Sequence, residues 1–407
     1  MKKGILIDSE EFQNYDFGPQ HPLTPKRLQL ARKLIEDFNL LDNDNGSLEE
    51  ARYATDDEVG LIHGDRYIKV LKEVSDPNYR GGPVWEYGLG PGDNPIFPNM
   101  YESSCLYVGG SLIAADLVMK GETNHAFNIS GGLHHAMGSK ALNADGQTVS
   151  TGRGDSASGF CILNDCAITA AYIIKNYGAK KIAYLDVDAH AGDGMSYIYY
   201  KLPNVLTISI HQHPRTLFPG TCYLEEVGEG EGEGYCVFIP VTPYTFDEPY
   251  LKILNETVGP IIKSYKPDVL ITQLGVDTHY SDQLTMMALS ISAYQKMSKF
   301  MHKLVHKACN GKWVALGGGG YSPDVVGKAW TLYFSEMCEK QEELPDEVPQ
   351  SWIDYCRTLT GRTPDKKIVD DFDPIKRLGK ENYEKIIQVN DELIDSIKEK
   401  IFPYFKL

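Results

Sequence analysis

The chain has 407 residues, of which 42% are hydrophobic and 24% are charged, and this composition excludes an intrinsically disordered protein. The formal net charge of −16 (40 Lys and Arg against 56 Asp and Glu) argues against direct nucleic-acid binding. No apolar run approaches the roughly 18 residues of a membrane span, so no membrane partner is expected. So acidic a surface instead favours cationic partners such as lysine-rich segments or polyamines.

The amino terminus and the cysteines both predict a cytoplasmic protein. The short apolar run Ile5–Ile7 is followed at once by Asp8, Glu10 and Glu11, which does not fit a secretory signal peptide. The eight cysteines are scattered and include no CxxC pair. We therefore expect reduced thiols and no thiolate zinc site.

Short β-rich apolar runs alternate with helical patterns along most of the chain. The runs are Gly4–Ile7, Ala126–Ile129, Ile182–Val187, Val205–Ile210, Val237–Val241, Val269–Leu274 and Trp313–Leu316. The helical patterns are Ser103–Lys120, Asp165–Tyr177, Pro249–Tyr265 and Ser292–Cys309. Because continuous apolar strands that alternate with helices are typical of a sheet covered on both faces, we predict an α/β fold with a mainly parallel sheet.

Three segments lie outside this alternation. Residues 138–158 are rich in glycine, serine, threonine, asparagine and aspartate, and we expect them to form a long exposed loop. Residues 340–380 are rich in charge and proline, and we expect them to wrap the surface. From Tyr383 to Ile401 apolar residues recur at helical spacing, which predicts a terminal helix packed on the same domain.

Five of the predicted strands run directly into polar residues. These endings are Ser130–His135, Asp188–Asp193, His211–His213, Gly275–His279 and Gly317–Tyr321. In an open parallel sheet the ligand crevice lies beyond the carboxyl ends of the strands, so six of the eleven histidines should fall along one edge. We therefore expect the functional site at this edge.

The segment from Asp186 to His190 predicts a metal site. In an extended segment Asp186, Asp188 and His190 share a face, and they repel one another and lose hydration unless a cation lies among them. Carboxylate and imidazole ligands suit Zn²⁺, with Fe²⁺ possible. Asp188 and His190 supply two ligands, and Asp277 is the best third. The alternative is that Asp188 or Asp193 only caps a helix.

The tandem pair His134 and His135 suggests proton transfer. Because neighbouring side chains point apart, we do not expect both rings to bind one ion. General acid–base work suits them better, each ring oriented by a carboxylate, and Asp186 and Asp193 are available for this.

The glycine run Gly317–Gly320 would present Tyr321 at the same edge of the sheet. A phenol there can donate a hydrogen bond to a developing oxyanion opposite a metal ion.

Six segments in this order resemble the histone deacetylase family: SGGLHHA, ASGFCILND, YLDVDAHAGDG, LFPGT, QLGVDTHYSD and LGGGGYS. The likeness spans roughly residues 15–335, and DNPIFPNMYESS and GVDTHYSDQLT look closest to the bacterial and archaeal acetoin-utilisation deacetylases. The resemblance implies the single-domain arginase–deacetylase α/β fold, with a mainly parallel sheet of about eight strands and helices on both faces. Residues 1–340 would form the catalytic domain and 341–407 a C-terminal extension.

The resemblance also implies an amidohydrolase that removes acetyl or similar acyl groups from lysine-like amines. It assigns metal ligation to Asp188, His190 and Asp277, proton transfer to His134 and His135 (paired with Asp186 and Asp193), and polarisation of the acyl carbonyl to Tyr321. For the substrate, it assigns an acyl-lysine tunnel to Gly159, Phe160, Phe218 and Leu284, the tunnel rim to Asp93, and the acetate pocket to Arg27. It also implies a structural potassium ion held by Asp186, Asp188, His190 and Ser209.

Two departures from the family pattern stand out. Ala191 occupies a position where the family commonly has a second histidine, which puts local packing in question. Residues 139–154 are an insertion between the tandem histidines and the tunnel wall. We expect the insertion to lie near the pocket mouth as a lid or rim that selects substrates.

Two other functions remain open from the sequence. An arginase-type two-metal ureohydrolase would also use Asp186, Asp188 and His190, but His279 stands where that chemistry needs a second aspartate. A catalytically silent acyl-lysine binding module is the other. The sequence also leaves open whether the substrate is an acetylated protein, an acetylpolyamine or another amine, and it leaves open the acyl length, the native metal and the oligomeric state.

Overall fold

A parallel sheet forms the centre of the computed structural model, which describes residues 2–42 and 44–407. Within these residues the strands are β1 (Lys2–Asp8), β2 (Gly46–Glu50), β3 (Thr123–Asn128), β4 (Lys140–Leu142), β5 (Thr148–Ser150), β6 (Ile182–Asp186), β7 (Val205–Gln212), β8 (Cys236–Val241), β9 (Val269–Gln273) and β10 (Trp313–Leu316). Eight of them pair in parallel in the order β2-β1-β3-β10-β9-β6-β7-β8, while β4 and β5 form a separate antiparallel hairpin.

Helices cover both faces of this sheet. They are α1 (Lys26–Asp37), α2 (Asp56–Val59), α3 (Asp65–Ser75), α4 (Met100–Met119), α5 (Asp165–Tyr177), α6 (Asp193–Ile198), α7 (Asp247–Ile253), α8 (Gly259–Tyr265), α9 (Ile291–Ala308), α10 (Pro323–Met337), α11 (Gln350–Thr360), α12 (Pro374–Leu378) and α13 (Lys380–Lys400). None of those described combines the length and apolar character needed to cross a membrane.

The alternation of side chains in β3 shows which helices lie on which face. The Phe127 ring contacts Trp330 of α10, with ring centroids 6.1 Å apart. The next residue, Asn128, donates from Nδ2 to the Tyr107 carbonyl of α4 at 2.8 Å. Because successive side chains of a strand point to opposite faces, α10 and α4 lie on opposite sides of the sheet.

The predicted α/β fold is confirmed. All seven predicted strands are present, with ends displaced by no more than a few residues. In the central sheet, the strand that the sequence did not reveal is β2, an edge strand of sequence GSLEE whose last three residues are exposed. An edge strand is partly open to solvent, so it needs fewer apolar residues, and its sequence shows only a weak hydrophobic pattern. The predicted helix Pro249–Tyr265 is observed as α7 and α8 joined by a π-helical turn, Leu254–Val258.

The insertion is largely exposed or partly exposed as expected, but it contains a short hairpin, and its packing contacts do not place it as a lid. Its hairpin buries Ala141 and Leu142 beside α5. The Leu142 carbonyl accepts from Asn204 just before β7, and the Ala144 carbonyl accepts from Lys180 just before β6. Both contacts lie at the amino ends of the strands, opposite the polar strand endings. Two apolar side chains suffice to anchor a short hairpin at the amino ends of the strands. In so polar a segment, two apolar residues are too few to give a hydrophobic pattern that predicts the hairpin.

The segment 340–380 does more than wrap the surface. Trp352 of α11 is fully buried and donates from Nε1 to the Leu30 carbonyl of α1 at 2.9 Å. The terminal helix predicted from Tyr383 to Ile401 is α13, where Asn390 donates to Thr245 Oγ1 at 3.0 Å. The described part of the extension therefore packs on the same body as the sheet.

The hairpin yields a prediction about stability. We expect Leu142→Ala to lower the free energy of unfolding by about 2–5 kcal/mol, because it leaves a cavity beside α5. Thr148 pairs with Leu142 across the hairpin but is exposed, so Thr148→Ala should change the stability by less than about 0.5 kcal/mol. Denaturant unfolding of the two variants measures the difference. Equal losses would mean that the hairpin is not anchored through Leu142.

Candidate metal and catalytic site

The polar strand endings meet because the strands that carry them are neighbours. The sheet order places β3, β10, β9, β6 and β7 side by side. All five run in parallel, so their carboxyl ends open onto one crevice. The predicted convergence of distant sequence segments on one edge is therefore observed.

Asp188, His190 and Asp277 form a buried cluster at this edge. His190 Nδ1 lies 2.8 Å from Asp277 Oδ2 and 3.2 Å from Asp188 Oδ1. One ligand atom from each residue lies within 4.8 Å of the other two. All three side chains are almost inaccessible to solvent. Two carboxylates and one imidazole are a donor set that holds Zn²⁺ or Fe²⁺.

The surrounding chain fixes the two carboxylates. Gln273 Nε2 and the Gly319 N–H donate to Asp188 Oδ2 at 2.7 and 2.8 Å. The Ala189 N–H donates to Asp277 Oδ1 at 2.7 Å. Glycine is needed at 319, because a Cβ there would lie 2.5 Å from Asp277 Oδ2 and 2.6 Å from Asp188 Oδ2. The glycine run therefore serves a close approach to the cluster as well as presenting Tyr321.

The electrostatics of the cluster favour a positive charge at its centre. Burial, together with the neighbouring Asp188 carboxylate, holds the pKa of Asp277 well above its usual value. Burial opposes a charged His190 ring, but its hydrogen bonds to Asp188 and Asp277 outweigh burial and raise its pKa to about 10. The two carboxylates thus favour a positive charge between them, carried either by a proton on His190 or by a metal ion bound to a neutral His190.

The tandem histidines are paired with carboxylates as predicted. His134 Nδ1 lies 2.7 Å from Asp186 Oδ2, and His135 Nδ1 lies 2.7 Å from Asp193 Oδ1. The expectation that the two rings point apart was wrong, since their Nε2 atoms lie 3.0 Å from each other. The segment is irregular rather than extended, and Asn164 Nδ2 bonds the His134 carbonyl. Alternation of side chains does not apply to such a backbone.

The two rings differ in their affinity for protons. Burial opposes a charge on His134, but the Asp186 and Asp188 carboxylates outweigh it and raise the pKa of His134 to about 9. Burial and the neighbouring His134 lower the pKa of His135, despite its bond to Asp193. Near pH 7 the pair therefore offers one charged ring and one neutral ring, which is what acid–base chemistry needs.

Tyr321 faces the same crevice. Its ring centroid lies 6.4 Å from that of His190 and 5.9 Å from that of Phe160. Burial, with nearby carboxylates, raises the pKa of Tyr321 well above its usual value, so the phenol keeps its proton. The Tyr321 N–H donates to Asp282 Oδ2 at 2.9 Å. Asp282 was not assigned from the sequence, although it ends the quoted segment QLGVDTHYSD, and burial raises its pKa to about 6.

Two aromatic rings flank the entrance to the crevice. The Phe218 ring centroid lies 5.1 Å from that of His135, and Phe160 lies against Tyr321. Leu284 and Phe218 are both substantially exposed, at 37% and 41%. Gly159 lies between the walls at φ +50°, and a Cβ there would overlap the His135 ring. Only glycine fits this position without strain.

Asp93 is linked to Phe160 by His21, which contacts both residues and had no role assigned to it from the sequence. His21 packs against Phe160, with ring centroids 4.4 Å apart. His21 Nε2 lies 3.3 Å from the Asp93 carbonyl oxygen, and Asp93 itself is exposed. No feature of the isolated sequence links residues 21 and 160, which meet only in the fold.

Arg27 lies beneath the glycine loop. It is buried, donates from Nη1 to the Gly318 carbonyl, and stacks over the Trp330 ring at 5.2 Å. Burial lowers the pKa of Arg27, partly offset by Tyr321 and Asp188.

Ser209, predicted for the potassium site, is the register partner of Asp186 in the β6–β7 pair. Its Oγ accepts from the Gly192 N–H at 3.3 Å and lies 3.0 Å from His211 Nδ1.

The structure shows the surroundings of His279, which replaces an aspartate of the ureohydrolase pattern, and of Ala191, which replaces a histidine of the deacetylase pattern. His279 turns away from the cluster, with Nε2 2.9 Å from Asp370 Oδ2 and Nδ1 2.8 Å from Ser281 Oγ. It therefore ties the extension to the end of β9 and does not supply a second metal position of the ureohydrolase kind. Ala191 is buried in a small apolar cluster with Tyr197 and Phe238.

Comparisons with known proteins agree with this geometry. The sequence model of the histone deacetylase domain matches residues 21–337. The chain is 38% identical over 354 residues to the acetoin utilization protein AcuC of Bacillus subtilis (strain 168), covering 87% of this chain and 86% of the relative. It is 35% identical over 374 residues to AcuC of Staphylococcus aureus (strain MRSA252), covering 91% of each.

Solved structures show the same fold. The crystal structure of an HDAC homolog from Aquifex aeolicus superposes with a TM-score of 0.82 at 29% identity, covering 97% of this chain and all of that one. An HDAC homolog complexed with SAHA gives a TM-score of 0.80 at 28% identity with the same coverage. The chain belongs to the histone deacetylase family.

Proposed function

We propose that this deacetylase hydrolyses the acetyl amide, or a similar acyl amide, of a lysine side chain or related amine at the Asp188–His190–Asp277 cluster. The observation that carries the proposal is the arrangement of Tyr321 and the two carboxylate-paired histidines around that cluster in one crevice. Family membership makes the protein a deacetylase that uses a metal ion.

Asp188, His190 and Asp277 would hold the ion, and Zn²⁺ is the ion proposed. When bound, it would activate a water molecule and polarise the acyl carbonyl. Three protein ligands, which leave a further position for water and substrate, are the usual arrangement at a catalytic zinc. Fe²⁺ accepts the same ligands and is the alternative that metal reconstitution tests.

The tandem histidines would move the protons. His135 is neutral near pH 7 and lies against the tunnel wall at Phe218, so its Nε2 accepts the proton of the attacking water. His134 carries a charge and stabilises the negative charge that develops nearby. Asp193 and Asp186 hold the Nδ1 atoms and so leave both Nε2 atoms for proton transfer. The departing amine takes its proton from the same pair.

Tyr321 would stabilise the oxyanion. Its phenol stays protonated and can donate to the acyl oxygen as negative charge develops there. Asp282 holds the Tyr321 backbone, while Arg27 holds the Gly318 carbonyl below the crevice. Arg27 also places a positive charge where an acetate product would leave.

An uncharged methylene stem fits the entrance. Phe160 and Phe218 would line its two sides, with Gly159 and Leu284 completing the walls. Asp93 would hold the substrate backbone at the rim, and the net charge of −16 would attract cationic substrates. We infer from these features a substrate with a lysine-like stem, either in a protein or in a small amine.

Three further assignments belong to this proposal. A structural potassium ion would be held by Asp186, Asp188, His190 and Ser209, and the pairing of Asp186 with Ser209 in adjacent strands supports it. Residues 1–340 would be the catalytic domain, and 341–407 an extension that supports it through Asp370 and Trp352. The eight free cysteines support a cytoplasmic location.

A turnover panel tests the function. Metal-stripped protein is reloaded with Zn²⁺ or Fe²⁺ and assayed against acetyl-lysine peptides, longer acyl-lysine peptides and acetylpolyamines. We expect no acetate release from stripped protein, restored release once the Asp188–His190–Asp277 cluster is loaded with metal, and a clear preference within the panel. Binding of these ligands without release of acetate, with either metal, would instead support a silent binding module.

Tyr321→Phe tests the oxyanion role. We expect kcat to fall about 10²–10³-fold with the metal content unchanged, because one donor to the oxyanion is lost. Asp188→Asn should lose turnover together with the metal ion at the Asp188–His190–Asp277 cluster. Tyr404→Phe is the matched control, since that exposed hydroxyl bonds Glu233 far from the crevice and its removal should leave kcat unchanged. Near-normal turnover in Tyr321→Phe would reject its assigned role.

Gly159→Ala tests the close packing of the tunnel wall on His135. We expect kcat/KM to fall at least about tenfold, because the added methyl group displaces the His135 ring from its productive position. Gly152 has a similar left-handed backbone, at φ +76°, but open space around it. Gly152→Ala therefore carries the same backbone strain and should keep full turnover. Equal losses of kcat/KM in the two variants would mean that displacement of the His135 ring does not cause the loss in Gly159→Ala.

A further inference from the structure

Three histidines meet at the opposite end of β3 from the catalytic crevice. His125 lies near the start of β3, and His302 and His306 lie one turn apart on α9. The ring centroids are 4.9 Å apart for His125 and His302, 5.4 Å for His125 and His306, and 4.9 Å for His302 and His306. One nitrogen of each ring lies within 4.8 Å of the other two.

The hydrogen bond of His125 determines which of its nitrogens is free to bind. Its Nδ1 lies 3.2 Å from the Met337 carbonyl oxygen, which can only accept, so Nδ1 carries the proton. Nε2 then holds a lone pair, and it is buried without a hydrogen-bond partner among the described residues. His125 is only 2% exposed.

His302 has the same arrangement. Its Nδ1 lies 2.8 Å from Glu336 Oε1, and a carboxylate also only accepts, so Nδ1 donates. Its Nε2 is buried and has no hydrogen-bond partner within the described part of the chain. Two buried acceptors side by side without a donor are costly, because neither recovers the hydration that it lost.

We propose that His125, His302 and His306 form a second metal site, for a borderline transition-metal ion such as Zn²⁺. Imidazole nitrogens suit this class of ion, and a ligating histidine usually donates its other N–H to a carbonyl or carboxylate, as His125 and His302 do. His306 is exposed, so it can close onto the ion and leave a fourth position to water. The proposal goes beyond deacetylation and does not depend on it.

The charges around the cluster favour a cation. Glu336 Oε1 lies 2.8 Å from His302 Nδ1 and places a negative charge beside the cluster. A tetrahedral ion with Zn–N bonds of about 2.0–2.1 Å needs nitrogens about 3.4 Å apart. Because the three nitrogens lie within 4.8 Å of one another, the side chains need to close by at most about 1.4 Å. The ion would join β3 to α9 directly and to α10 through Glu336. We therefore expect it to stabilise the fold rather than to take part in the chemistry.

Metal counting on the full chain tests the site. Protein stripped with a chelator is titrated with Zn²⁺ alone in competition with a chromophoric chelator. We expect two tight equivalents in the wild type, one in His302→Gln and one in His306→Gln. His306 is exposed, so its variant should fold, and circular dichroism checks this. His213→Gln, which removes a histidine outside both clusters, should keep two.

Asp188→Asn separates this site from the catalytic one. It should retain one equivalent, and Zn²⁺ should still raise its melting temperature, an effect that adding His302→Gln abolishes. Glu336→Gln should weaken Zn²⁺ binding at the three-histidine site about 10–100-fold and leave the catalytic equivalent unchanged. A single equivalent in the wild type that Asp188→Asn removes, or a second equivalent that survives both His302→Gln and His306→Gln, would overturn the proposal. Loss of deacetylation with the second equivalent intact would count only against the proposed function.

Discussion

The molecule depends on the requirement that two buried carboxylates and a buried imidazole share a positive charge. Asp188 and Asp277 come from different strands, yet both lie within 3.2 Å of His190 Nδ1. In a medium of low dielectric constant this arrangement is costly unless a cation or proton balances it. The surrounding contacts from Gln273, Gly319 and Ala189 fix the carboxylates in place. The parallel sheet order brings these residues to the same edge.

The sheet carries different groups of polar residues at the carboxyl and amino ends of its strands. Beyond its carboxyl end β3 leads to His134 and His135, whose Nδ1 atoms are held by carboxylates and whose Nε2 atoms face each other. Near its amino end His125 is held by a carbonyl, and its Nε2 faces His302 and His306. In both places a hydrogen bond to one nitrogen sets the role of the other. The catalytic edge adds Tyr321 and an open crevice, whereas the three-histidine cluster packs between helices and sheet.

Much of the fold and the site could be predicted from the sequence. Continuous apolar strands revealed the parallel sheet, and the polar residues that follow them revealed its functional edge. Asp188, His190 and Asp277 do converge, but Asp188 and His190 lie in bends after β6 and not in the extended segment that the prediction assumed. The sheet and its polar edge could be predicted because they depend on local patterns that the fold preserves.

The predictions that failed depend on local irregularity or on long-range contacts. His134 and His135 converge because their backbone is not extended. The insertion was mistaken for a lid because Ala141 and Leu142 give too little apolar signal to show where the hairpin packs. The roles of Asp282 and His21 depend on contacts with Tyr321 and Phe160 that only the folded chain creates. The histidine triplet joins residues 125, 302 and 306, which no sequence pattern links.

Anomalous diffraction at the zinc edge, from crystals of zinc-reconstituted protein, tests the central claim most directly. We predict one ion bonded to Asp188, His190 and Asp277 at about 2.0–2.2 Å, with Tyr321 and both tandem histidines facing it. The absence of anomalous density at this cluster, with these three side chains turned away from one another, would contradict the account.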